Sequence, residues 1–215
     1  MASGLPGWAT LIADMLRFYL LRSQSTEDLE GLIRNGNYIL AATELRERMG
    51  EQAFSEFLHT HFRQVGCQPS PVHRLIVELP LAGIITTNYD DLLETAYAVS
   101  GATRPSVFTH LDTAALANAA RDRRFFLLKL HGDADRPESV VLGRREYREL
   151  IFGNNACREF LTALLQFRTM LFVGFSLRDP DLLAAFDRLR VYFNLDYARC
   201  SLYSGRDTGL LRVGG

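Results

Sequence analysis

An α/β fold, a parallel sheet with helices on both faces, is what this chain predicts, and three observations predict it. From residue 83 onward, short apolar or β-branched runs alternate with helix-length segments, the order expected of βαβ units. Two of those runs, FFLLKL at 125–130 and TMLFVGF at 169–175, are almost continuously apolar, as strands covered on both faces require. The first 65 residues carry no such runs and read as helical.

Pro6 suits the first position of a helix on which Trp8, Leu11, Ile12, Met15, Leu16 and Tyr19 recur at helical spacing. Thr26 precedes Glu-Asp-Leu-Glu as a candidate cap for a second helix. Tyr38 to Arg48 and Glu51 to Phe62 form two more. Pro69 and Pro71 enforce a loop over 67–71, and Val72 to Glu78 is a short helix. Strands are then predicted at Gly83–Thr87, Ser106–Thr109, Phe125–Leu130, Thr169–Gly174 and Arg199–Ser204. Helices are predicted at Tyr89–Val99, Thr113–Ala120, Asn154–Gln166 and Pro180–Tyr192.

The chain has 215 residues, 47% hydrophobic and 23% charged, enough for one well-buried domain. Its formal net charge of -1 and the lack of a long basic run argue against direct nucleic-acid binding; RDRR at 121–124 reads as a solvated helix end. Cys67, Cys157 and Cys200 are far apart and form no CxxC pair, so neither a zinc ribbon nor a disulfide framework is supported. Reduced thiols, no basic-then-apolar leader and no apolar run of ~18 residues fit a cytoplasmic protein without a membrane span.

In parallel α/β sheets, ligands bind beyond the carboxyl ends of the strands. Three strand ends carry polar or glycine residues there: Asn88 and Asp90, His131-Gly132-Asp133, and Gly174-Phe175-Ser176. Two readings of Asn88 and Asp90 stand. They cap the following helix, or they line a site. Asp91 fits a helix first turn, where negative charge is favourable. Arg144 and Arg145 either open a helix as solvated residues or reach a phosphate.

TTNYDDLLE at 86–94, LLKLHGD at 127–133, LFVGFSLRDPDLL at 171–183 and SGLPGW at 3–8 together resemble the sirtuin family, and more closely its bacterial sirtuin-like branch of NAD-consuming anti-phage defence proteins. The four segments occur in the family's order. The resemblance implies a Rossmann-like NAD-binding domain spanning 1–215 with a helical subdomain inserted at about 24–70. It implies that Asn88 positions an attacking water or ribose hydroxyl and that His131 is the general base. Tyr89, Asp90, Gly132, Gly174, Phe175 and Ser176 would contact NAD, the substrate. A homo-oligomer or a defence-system partner protein is expected.

Two departures qualify the resemblance. Family members open with a strand and a GAG-type loop; here MASGLPGW stands where that loop has passed, so the first strand and glycine-rich loop are missing, and a start downstream of them is the simplest expectation. Deacylating sirtuins carry four zinc cysteines after the catalytic HG, whereas here no cysteine follows until Cys157. That favours NAD glycohydrolase chemistry without zinc over protein deacylation. A non-catalytic nucleotide-binding or assembly module is the remaining alternative.

Overall fold

The computed structural model describes residues 7–21, 26–62, 67–173, 200–203 and 211–212. Pro6, the helix predicted at 180–192, and Gly174, Phe175 and Ser176 lie outside the described residues. The chain divides into two compact units, Met1–Asn154 and Asn155–Gly215.

The first unit begins with helices α1 (Trp8–Leu20), α2 (Glu27–Arg34), α3 (Tyr38–Phe62) and α4 (Pro71–Glu78). Helix α1 buries Leu11, Ile12, Met15 and Leu16, the stripe its spacing announces. Helix α3 is broken at Gly50 (φ 70°, ψ 170°), which restores the two helices expected on either side. Thr26 stands at the cap position of α2, but its hydroxyl donates to the Glu30 carboxylate (3.2 Å) instead of bonding a backbone amide. Pro71 opens α4 instead of closing the loop before it, and the backbone N–H of Ser70 donates to Nδ1 of His73 (3.1 Å).

The sheet of this unit has strands β1 (Ile84–Thr86), β2 (Ser106–Thr109) and β3 (Phe126–Lys129), all parallel, in the order β1-β3-β2. Central β3 is buried along its whole length. Helix α5 (Leu92–Ser100) carries the chain from β1 out to β2, and α6 (Thr113–Arg121) carries it back to β3. Parallel crossovers are right-handed, so this reversal of direction puts the two helices on opposite faces. A core of Leu11, Ile12, Met15, Leu29, Leu45, Phe54 and Leu58 from the helices continues into Tyr89, Ala134, Val140 and Leu142. The helical layer thus packs directly on the loops that leave β1 and β3. Helix α7 (Arg144–Arg148) follows, and a single π turn, Glu149–Gly153, ends the unit's regular structure.

The second unit contains α8 (Asn155–Phe167), with Cys157 buried, and strands β4 (Met170–Val173), β5 (Cys200–Tyr203) and β6 (Leu211–Arg212). Strand β4 pairs parallel with β5, and β5 antiparallel with β6.

Candidate active site at the carboxyl edge of the sheet

Thr86 and Lys129 are in-register partners at the ends of β1 and β3. The ladder extends one step further, with the Leu130 N–H donating to the Thr86 carbonyl (2.8 Å). Asn88 and His131 therefore leave neighbouring parallel strands at the same height, each two residues past a paired position. This common edge is where an α/β sheet presents its ligand groups.

Asn88 is exposed, and its side chain makes no hydrogen bond to a described residue; only its backbone N–H is engaged, donating to Oγ1 of Thr86 (3.1 Å). It does not cap α5. Asp90 does part of that work, its Oδ1 accepting from the Leu92 N–H (3.0 Å). Burial raises the Asp90 carboxyl above the usual range, against the pull of that N–H and of the Lys129 and His73 charges. Between them, Tyr89 turns inward. Its hydroxyl donates to the Val141 carbonyl (2.8 Å), its carbonyl accepts from Ala134 N–H (3.0 Å), and its ring meets Phe62 edge-on. Tyr89 is thus the pin that fastens the β1 loop to the β3 loop and to α3.

His131 is 9% exposed, and the ring of Tyr147 from α7 stands edge-on to it with centroids 5.3 Å apart. Its carbonyl accepts from Val141 N–H (2.8 Å), holding the loop closed. Gly132 has φ +96°, and a Cβ there would lie 2.1 Å from the Ser139 carbonyl oxygen. The glycine of the HG pair is required by the close approach of residues 139–140, a reason that holds whatever else it touches.

Sequence reasoning missed the charges beneath this edge. Lys129 is 1% exposed, and its ammonium pairs with Glu94 (2.7 Å) and Asp133 (3.1 Å). Burial opposes its charge, but the two carboxylates overcome that and raise its pKa. One cation serves two acids, so burial still raises Glu94, whose Oε2 is buried without a hydrogen-bond partner among the described residues. The signal was present: Lys129 is the lone charge in an otherwise apolar strand. The end of β2 has its own lock. Asp112 accepts from Arg136 (2.6 and 3.3 Å) and from the Thr109 N–H (2.8 Å) and hydroxyl (2.9 Å). Burial works against the Asp112 carboxylate, but these donors outweigh it and hold its pKa below the ordinary value.

Among the described residues no group of three His, Cys, Asp or Glu is placed to hold a metal ion, and no helix is long and apolar enough to cross a membrane.

A parallel sheet with amide, carboxyl and imidazole groups at one carboxyl edge defines an α/β domain with its polar groups where such sheets bind ligands. The SIR2-like domain family model matches residues 82–196, more than half of the chain, and the chain belongs to that family. It is 30% identical over 196 residues to the NAD(+) hydrolase ThsA of Acinetobacter baumannii (strain 532279), covering 89% of this chain and 37% of that protein. It is 28% identical to the ThsA of Bacillus cereus (strain MSX-D12), covering 93% of this chain and 40% of that one. Defense-associated sirtuin 2 of Bacillus subtilis is 30% identical over 179 residues, covering 80% of this chain and 17% of that protein. The chain thus spans two-fifths or less of the length of these relatives.

Proposed function

We propose that this SIR2-like chain cleaves NAD to nicotinamide and ADP-ribose, as the NAD(+) hydrolase relatives are named for doing. The observation that carries the reading is the shared height of Asn88 and His131 at the ends of in-register strands. The C1′–N bond breaks with its electron pair passing to the pyridinium nitrogen, which leaves as neutral nicotinamide. The ribose meanwhile takes on oxocarbenium character, as in glycoside hydrolysis. Asn88, exposed and unspent in the fold, holds the attacking water. As that water's oxygen bonds to C1′, its proton passes to the His131 imidazole, the side chain suited to general-base work near neutral pH. Asp90 sits near the nicotinamide side, Tyr89 and Gly132 shape the loops around it, and Gly174, Phe175 and Ser176 complete the NAD contacts.

The reading extends to a single SIR2-like domain over 1–215 with a helical subdomain at about 24–70. It also extends to a cytoplasmic defence effector acting as a homo-oligomer or with a defence-system partner protein. The test is nicotinamide release from NAD, measured for the chain and for His131→Ala and Asn88→Ala. Loss of a positioned base is expected to slow release at least ~100-fold. NAD binding without release by the parent protein, with its partners present, would leave only a binding module. Release dependent on an acyl-lysine peptide would make it a deacylase.

A further inference from the structure

The χ2 torsion of a histidine is broad and roughly two-fold, so its own rotamer does not settle where each ring nitrogen points. A general base needs that settled, and bases are commonly oriented by a third group. At His131 a neighbour is in place to do so. The Tyr147 ring lies with its centroid 5.3 Å from that of the imidazole and its plane turned by 75°. This is the edge-to-face arrangement that aromatic pairs prefer, and turning the imidazole about χ2 would give it up.

One segment grips His131 twice. The Val141 N–H donates to its carbonyl (2.8 Å), and Tyr147, further along the same segment, meets its ring. Helix α7, Arg144–Arg148, is too short to hold Tyr147 unaided, since isolated helices under ~12–15 residues are marginal. Its position is set from α3. The Thr43 hydroxyl accepts from the Arg144 N–H (2.9 Å). Arg46, its side chain 13% exposed, donates from Nη1 to the Val140 carbonyl (3.0 Å) and pairs through Nε with Glu146 (3.6 Å). Its guanidinium also lies over the Phe54 ring, 4.3 Å from the centroid. Glu146 in turn accepts from the Gly143 N–H (2.9 Å). One planar guanidinium therefore ties both the start of the segment and α7 to the helical layer, which the point charge of a lysine does not match.

We infer that Tyr147 is a positioning residue for His131: its ring fixes the orientation of the imidazole, and Arg46 and Thr43 of α3 hold that ring in place. Its effect on turnover rests on the hydrolase reading, in which His131 takes the proton of the attacking water. Its hold on the imidazole does not.

The test is NMR of the full chain carrying isotope-labelled histidine, with His131→Gln identifying the His131 signal among the five histidines. The variants are Tyr147→Phe, which keeps the ring, Tyr147→Leu, which removes it, and Arg46→Lys; thermal melts verify that each folds. A neighbouring aromatic ring displaces the imidazole ring-proton signals by an amount set by their geometry. In Tyr147→Phe the His131 signal is expected at the parent position. In Tyr147→Leu it is expected to move to that of an unrestrained histidine, and in Arg46→Lys part of the way. An unmoved signal in Tyr147→Leu overturns the assignment; the same displacement in Tyr147→Phe gives the hold to the hydroxyl and overturns the ring's part. A parent-like signal in Arg46→Lys removes Arg46 from it. Nicotinamide release reads the consequence. In Tyr147→Leu kcat is expected to fall about tenfold at unchanged KM, within the ~100-fold that a 1 Å misplacement can cost, and Tyr147→Phe is expected to restore it. A displaced signal with unchanged kcat, in a parent whose release requires His131, overturns the positioning role. If the parent releases nothing, or release survives His131→Ala, the hydrolase reading fails, and the NMR comparison still decides whether Tyr147 holds the imidazole.

Discussion

Single residues at the carboxyl edge of the sheet are fixed by sterics and charge. Gly132 is the clearest case, since its left-handed φ and the 2.1 Å approach of the Ser139 carbonyl leave no room for a side chain. Gly132→Ala is expected to cost about 2–5 kcal/mol, left-handed strain plus overpacking, read as a lower urea midpoint; a loss under about 1 kcal/mol would mean that the loop re-forms around a methyl group. Lys129 is the second case. Removing it leaves the half-buried Glu94 and Asp133 together without their cation. Lys129→Met is therefore expected to destabilise by about 3–5 kcal/mol. Adding Glu94→Gln and Asp133→Asn is expected to recover part of that in the same denaturation series. If the triple variant is no better than the single one, the methylene packing of Lys129 matters and its charge does not.

At the scale of elements, much of the architecture was legible. The strands at 106–109 and 126–129 lie where apolar runs put them, and the break between the two halves of α3 falls at a glycine between two helical patterns. A Cβ on Gly50 would meet nothing within 4 Å, so only its φ of 70° opposes substitution. Gly50→Ala is expected to cost about 1–2 kcal/mol in thermal unfolding, and no measurable cost would mean that α3 can straighten. What periodicity could not give was the start of α5. The polar cluster 88–91 reads as a cap, yet the chain spends three of those residues on a loop, with Tyr89 anchoring it in the core. That anchor depends on a partner 52 residues away, and a long-range contact leaves no local period. The candidate site was legible in its placement alone: that Asn88 and His131 stand at one edge follows from where strands stop. The Lys129–Glu94–Asp133 triad was not, because ion pairing across elements needs the sheet order β1-β3-β2 to be known. Likewise Tyr147 is an unremarked aromatic in sequence and becomes His131's neighbour only through the fold.

At the scale of the whole molecule, buried titratable groups give stability a pH dependence with two opposing parts. His61, stacked on Phe57, and His110, at the end of β2, are both held below the ordinary value of 6.5 by burial, against the pull of Asp14 on His61 and mainly the Leu130 carbonyl on His110. The unfolded chain takes up protons at these positions near pH 6.5, while the folded chain resists until lower pH. The stability they contribute is therefore complete above 6.5 and is lost as pH falls through their folded values. Asp90 and Glu94 act in the other direction. Burial raises both from 3.8 and 4.5, so their contribution is complete below those values and is lost as pH rises through the folded ones. His61→Phe separates the two parts, because it keeps a ring against Phe57 and Phe62 in place of an imidazole whose Nε2 has no hydrogen-bond partner among the described residues. Relative to the parent, its unfolding midpoint is expected to gain progressively as pH drops from 7 to 5 and to stay at a constant offset between pH 7 and 8. A constant offset across the whole range would show that His61 titrates alike in the folded and unfolded chain and that the acid limb belongs to His110.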